Sequence, residues 1–249
     1  MNSPDMIVVS GAGTGIGRAV SRRLVADGFH VLAVGWRPEP LERLAKELDP
    51  HLDAVSADLA TVAGATAVAE RVRAAAPGCA GIVAAAGGLS LGETRAAGLD
   101  GVRQDWLASF ESNVLTAVLL VEALREAIER DGGRVVLLSS VAALRGSGGG
   151  AYGAAKAALH GYVYDLAREL GGRGGTANVV APGFVPDTEF WAGRLTGESR
   201  RERAAQTLVG REGTPEEVAS LISWLLGPDG GWVTGQVLSP PNGGVVLGR

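Results

Sequence analysis

The sequence predicts an α/β fold: one doubly wound parallel sheet of about seven strands with helices on both faces. Three observations carry this. Short apolar runs alternate along the chain with longer stretches whose apolar residues recur at three- and four-residue spacing. The short runs are continuously apolar rather than alternating, which marks strands buried on both faces. A glycine-rich turn joins the first run to the first helical stretch.

The first strand is residues 6–10, and the turn Ser10-Gly11-Ala12-Gly13-Thr14-Gly15-Ile16-Gly17 delivers the chain into a helix over 16–27. A second strand, 30–35, precedes a helix over 40–48, and a third, 53–57, precedes a helix over 60–76. The fourth strand covers 81–85. Residues 98–101 read as a surface turn, followed by one long helix over 105–130. The fifth strand, 134–139, runs into Ser139-Ser140 and then a glycine-rich stretch at 146–150. A helix over 152–170 and a turn at 171–175 lead to the sixth strand, 177–181. Residues 184–213 form a connection longer than this fold needs, and such loops commonly serve as lids. A helix over 215–226 and a seventh strand, 235–239, finish the sheet. No Pro/Ser-rich linker and no internal repeat divides the chain, so residues 1–249 read as a single domain with a lid at about 184–213.

Composition narrows the function. The chain is 46% hydrophobic and 20% charged, with a net charge of −4, so it has a substantial core and no basic surface for nucleic acid. One cysteine, Cys79, gives neither a disulfide framework nor a metal cluster. It reads as a small apolar residue at a strand start. No unbroken apolar run reaches the ~18 residues of a membrane span, and residues 1–10 lack the basic flank of a signal sequence. The expected location is the cytoplasm.

The glycine turn points to a phosphate group. Glycines let backbone approach a pyrophosphate closely, and the helix N-terminus offers free N–H donors with partial positive charge. The spacing is G-x-x-x-G-x-G, at Gly11, Gly15 and Gly17. The second strand ends at Gly35-Trp36-Arg37, where an acid would favour NAD(H) by accepting from a ribose 2′-hydroxyl. Without that acid and with Arg37 nearby, NADP(H) is favoured, NAD(H) remaining possible.

Tyr152 and Lys156 carry the candidate chemistry. Only 2 of the 23 Lys+Arg residues are lysine, and one of them stands four residues after a tyrosine. Positions i and i+4 share a helix face. Two unit charges about 4 Å apart at an effective dielectric of ~20 interact by ~4 kcal/mol, equivalent to a phenol pKa lowered by up to about 3 units from ~10. Such a tyrosine would exchange protons at cellular pH.

With these residues in place, the whole chain resembles the short-chain dehydrogenase/reductase family, and within it the 3-oxoacyl reductases. The motifs occur in order: the glycine turn, Asp58-Leu59, Ala86-Gly87, Asn113, Ser140, Tyr152-x-x-x-Lys156, Pro182-Gly183 and Thr234-Gly235-Gln236. The resemblance implies a Rossmann-like fold and hydride transfer between NADP(H) and a carbonyl or alcohol. Tyr152 would be the general acid or base and Lys156 its partner and a ribose ligand. Ser140 would hydrogen-bond the substrate oxygen, and Asn113 would hold a water linking Lys156 to solvent. It further implies a dinucleotide held by Gly11, Thr14, Gly15, Ile16, Gly17, Arg37, Asp58, Leu59, Ala86, Gly87, Tyr152, Lys156, Pro182, Gly183, Val185 and Thr188, with no metal. Relatives commonly form homotetramers through the long helices and the C-terminal segment, so a tetramer is expected, a dimer second, with Val245-Val246-Leu247 as an apolar tail against a neighbour. An NAD-dependent alcohol or sugar dehydrogenase and a non-catalytic dinucleotide-binding regulator are the alternatives.

This chain departs from the family at three places. Ala84-Ala85-Ala86-Gly87 replaces the frequent Asn-Asn-Ala-Gly, removing two amides that brace backbone. The shorter loop before Tyr152 leaves Ser139 as a rival to Ser140. Trp36 stands where NADP-preferring relatives often carry arginine. His160, eight residues past Tyr152, reads as packing or a subunit contact. The charge run 198–203 reads as a solvated helix face, with Arg194, Arg200 and Arg201 as possible partners of an anionic substrate. Phe184, Phe190 and Trp191 stand open between substrate contact and lid packing.

Overall fold

The computed structural model describes residues 6–75, 78–89, 97–129, 132–146 and 150–239. Residues 147–149 of the second glycine stretch and the tail 245–247 therefore lie outside the described residues. The strands are β1 (Met6–Ser10), β2 (His30–Gly35), β3 (Leu52–Ser56), β4 (Cys79–Ala84), β5 (Arg134–Leu138), β6 (Thr176–Val180) and β7 (Val237–Leu238). They form one parallel sheet in the order β3-β2-β1-β4-β5-β6-β7.

The helices are α1 (Gly15–Ala26), α2 (Pro38–Leu48), α3 (Val62–Ala74), α4 (Gly98–Phe110), α5 (Thr116–Ala123), α6 (Arg125–Glu129), α7 (Ala142–Arg145), α8 (Ala151–Gly171), α9 (Gly197–Ala205) and α10 (Pro215–Leu226). Neighbouring strand residues send their side chains to opposite faces. Ile7, Val9, Val31 and Ala33 pack with Leu24, Leu41 and Ile222 from α1, α2 and α10. Val8, Leu32 and Ile82 pack with Val72, Leu120 and Leu159 from α3, α5 and α8. Each of these larger side chains is almost fully buried, stabilising by about 1.5–3 kcal/mol relative to exposure.

The helix expected over 105–130 differs most. It begins seven residues earlier, at Gly98, whose φ of +68° starts the turn. A π-helical turn, Glu111–Leu115, then interrupts it, and a break at Leu124 separates α6. An inserted π turn leaves the apolar spacing nearly intact, so periodicity does not show it. The stretch Gly98–Ala123 is long and apolar enough, by length and a mean hydropathy of 1.2, to cross a membrane, although it contains no unbroken apolar run of that length. Here it packs along α8 and α3. The segment 184–213 is not wholly irregular: it holds a 3-10 turn, Glu189–Trp191, and α9, which Thr196 and Ser199 cap reciprocally.

The strand order reverses between β1 and β4, and in such sheets ligands bind in the crevice beyond the carboxyl ends of the strands at that point. Ser10 and Ala84 stand in register there. The crevice is thus bounded by the glycine turn, by residues 85–88 and by the segments following β5 and β6.

Candidate active site

One wall of the crevice is backbone. Gly11 and Gly15 have φ of +65° and +49°, conformations that cost an L side chain strain. A Cβ on Gly17 would lie 2.2 Å from the Gly11 carbonyl oxygen, and one on Gly11 would lie 2.9 Å from that of Ala85. Thr14 caps α1 without a side-chain hydrogen bond, and no acid occupies the first turn. The amino end of α1 therefore keeps donors and positive potential for an anion. Ile16 packs against the core behind the turn.

The rest of this wall follows from neighbouring strand ends. Arg37 is exposed beyond β2, 5.7 Å from the Trp36 ring centroid, as the first residue before α2. Asp58 turns the chain after β3 by accepting from the Ala60 N–H (3.0 Å), and Leu59 is buried. Val141 N–H donates to the Pro182 carbonyl (3.0 Å), Gly183 is partly buried, and Val185 is buried. Thr188 faces the turn: a Cβ on Gly15 would lie 3.2 Å from its side chain and 3.7 Å from the Glu189 carboxylate. The residues present fit a dinucleotide, provided Glu189 swings aside from a pyrophosphate.

The opposite wall is made of side chains. Lys156 is buried in α8, and its ammonium donates to the Leu138 carbonyl at 2.9 Å. Tyr152, one turn earlier, shares a hydrogen bond with the Ser140 side chain. Ser140 Oγ also accepts from the Ala142 N–H at 3.2 Å. Asn113 is fully buried within the π turn, a helical irregularity often found at functional sites. Its amide accepts from the Gly88 N–H (3.0 Å) and donates to the carbonyls of Gly88 (2.9 Å) and Ser109 (3.0 Å). A Cβ on Gly87 would stand 2.5 Å from Asn113 Oδ1 and 3.0 Å from Lys156 Nζ. Only glycine there leaves those two groups facing a shared space.

The electrostatics correct one expectation. The Tyr152 phenol is not drawn toward neutrality; burial pushes it up to about 12, and the Ser140 hydrogen bond offsets only part of that. Lys156 does share its helix face, but its ammonium is held by a strand carbonyl, 6.0 Å from the Tyr152 ring centroid. Burial lowers Lys156 itself to about 8. Of the two, the lysine titrates nearer neutrality.

Comparison with known proteins places the chain. Residues 11–245 match the family model described as Enoyl-(Acyl carrier protein) reductase. A short-chain reductase protein, NovJ of Streptomyces niveus, is 32% identical, with 98% of this chain and 95% of that one aligned. The 3-oxoacyl-[acyl-carrier-protein] reductase FabG of Escherichia coli is 31% identical over 96% of each. Among solved structures, an actinorhodin polyketide ketoreductase with NADPH superposes with a TM-score of 0.86 at 27% identity, over 97% of each chain. A metagenomic blue fluorescent protein with NADPH gives 0.84 at 30%, over 98% of this chain and 99% of that one. This chain belongs to the short-chain dehydrogenase/reductase family.

As a family member it compensates for its missing amides. The Ala86 N–H donates to Ser10 Oγ at 3.0 Å, and Asn113 clamps Gly88 from the other side, so residues 86–88 are braced from β1 and from the π turn. Sequence reading passed over Ser10 because nothing in the motif reveals where its hydroxyl points. It also passed over Gly64, where a Cβ would lie 2.0 Å from the Asp58 carbonyl oxygen, and a glycine in the first turn of a helix was the available signal. Ser139 is not placed like Ser140. It is buried, donates to the Lys156 carbonyl (3.0 Å) and bonds His160 Nε2 (2.8 Å). His160 is thus tied to the rear of the site, and burial lowers its pKa. Arg200 is engaged by Glu212 and Asp187. Cys79 opens β4, buried, its thiol pushed up to about 11 by burial.

Proposed function

We propose that this oxidoreductase is an NADP(H)-dependent ketoreductase, with Asn113, Ser140, Tyr152 and Lys156 as its working side chains. The observation that carries the reading is the hydrogen-bonded Ser140–Tyr152 pair over a buried lysine, across the crevice from the glycine turn. The NADPH held by two structural neighbours and the reductase names of the curated relatives support it.

In this reading Gly11, Thr14, Gly15, Ile16 and Gly17 hold the pyrophosphate side, and Arg37 the 2′-phosphate. Asp58, Leu59, Ala86 and Gly87 meet the adenosine and central parts, while Pro182, Gly183, Val185 and Thr188 position the nicotinamide. Bound NADPH supplies the hydride that reduces the carbonyl carbon. Ser140 donates a hydrogen bond to the substrate oxygen as charge develops there. Tyr152 gives that oxygen its proton; with a pKa of about 12 it is fully protonated at neutral pH, as an acid must be. Lys156, at about 8, resupplies the proton, and Asn113 with Gly88 shapes its route to solvent.

Residues 1–249 act as a single dinucleotide-binding and catalytic domain in the cytoplasm, with 184–213 as the substrate lid. Val102, Trp106 and Phe110 form an exposed apolar stripe on α4 that supports a homotetramer; a monomer mass by light scattering at micromolar concentration would reject it. The central test is Tyr152→Phe. It should cut NADPH-dependent ketone reduction by at least about a thousandfold while the NADPH Kd stays within a factor of about two. Retained turnover would overturn the assignment.

A further inference from the structure

The lid meets the site through aromatic rings. Phe190 lies 5.7 Å from the Tyr152 ring, centroid to centroid, tilted by 46°. Trp191 stands edge-on to Phe190 at 5.0 Å and to Phe184 at 5.4 Å. Phe184 is buried and anchors this cluster, whereas Phe190 and Trp191 keep part of their surface open. Arg203 lies over the Trp191 ring at 4.8 Å, fixing the indole with a cation–π contact. Aliphatic side chains would shield Tyr152 from water equally well by area. Aromatic faces and edges add an orientation-dependent attraction for another π system. Two arginines of this segment are held in ion pairs, Arg200 with Glu212 and Asp187, and Arg211 with Glu217.

Resting on the reductase reading and deepening it, we propose that the substrate is a ketone carried on or beside a planar aromatic ring, which packs against Phe190 and Trp191 while its oxygen lies between Ser140 and Tyr152. The ring packs on the part of the Phe190 surface that Tyr152 leaves open, so the tyrosine keeps its position. Phe190 is then a specificity-determining residue: it selects the substrate's ring and leaves the proton transfer to Tyr152.

The test compares 1-tetralone with 2-decanone, an open-chain ketone of equal carbon number, in NADPH oxidation by wild type, Phe190→Leu and Phe190→Tyr. A second readout is the Kd of 1-tetralone for the NADP⁺-loaded enzyme, by calorimetry. Wild type should favour 1-tetralone in kcat/KM by at least about tenfold, and Phe190→Leu should lower that ratio and weaken the Kd by about tenfold each. Phe190→Tyr, which keeps the ring, should restore both. If wild type reduces 2-decanone as well as 1-tetralone, or if the ratio and Kd hold within about twofold in Phe190→Leu, the ring inference is overturned and the reductase reading stands. If neither ketone is reduced and 1-tetralone does not bind, both fall.

Discussion

On the β1–α1 side of the crevice the working atoms are backbone; on the β5–α8 side they are buried side chains. The first wall is defined by what it excludes. Gly11, Gly15, Gly17 and Gly64 stand where a single methyl group would collide with carbonyl oxygens or with Thr188. The second wall is defined by what it confines. An ammonium, an amide and a hydroxyl are held in apolar surroundings by Leu138, Gly88 and Ser140. A wall of the first kind should fail structurally when altered. A wall of the second kind should fail chemically, and can even gain stability when its costly groups are removed.

The sharpest break between the walls comes from Gly17→Ala. Its Cβ would press on the Gly11 carbonyl from 2.2 Å, backbone against backbone with no flexible side chain to yield. A loss of at least about 3 kcal/mol is expected, read as a collapse of the melting temperature or of soluble yield. A variant that melts like wild type would show the turn to be looser than described.

Lys156→Met should do the opposite. Activity should fall at least about a hundredfold, while at pH 7 the melting temperature rises by about 3 °C. The sign follows from the lysine's lowered pKa. A buried cation that holds its proton less tightly when folded costs stability in full below about pH 8. The cost fades as pH rises toward the unfolded value of ~10.4. The melting advantage of the variant should therefore shrink above pH 8 and vanish near pH 10.5; an advantage that grows with pH would contradict the burial argument.

The smallest effect belongs to the exposed edge of the backbone wall. Arg37→Ala should weaken NADPH by about 1–2 kcal/mol and leave NADH unchanged in a binding titration. Equal weakening of both would remove the 2′-phosphate role from Arg37.

Sequence reading worked where the signal was local. All seven strands lie within a residue or two of their apolar runs, except that β7 shortens to Val237–Leu238, after Gly235 bends the chain at φ +67°. The glycine turn was legible because glycine spacing and backbone geometry are nearly the same information. The second wall was legible in its residues but not in its electrostatics. That Tyr152 and Lys156 share a face follows from the i, i+4 rule. That the ammonium is claimed by Leu138, eighteen positions away, follows only from how β5 meets α8. The π turn was hidden for a similar reason, since its extra residue alters hydrogen bonding more than hydropathy.

Lys156 is tethered to β5 twice, at its tip by the Leu138 carbonyl and at its backbone by Ser139, which His160 steadies. The strand thus works as a jig for the helix: a slip of α8 along the sheet displaces the proton donor by the same amount. Repacking that is harmless to the core can then silence the enzyme, and for substitutions along this seam catalytic rate is a finer gauge of fit than any melting curve.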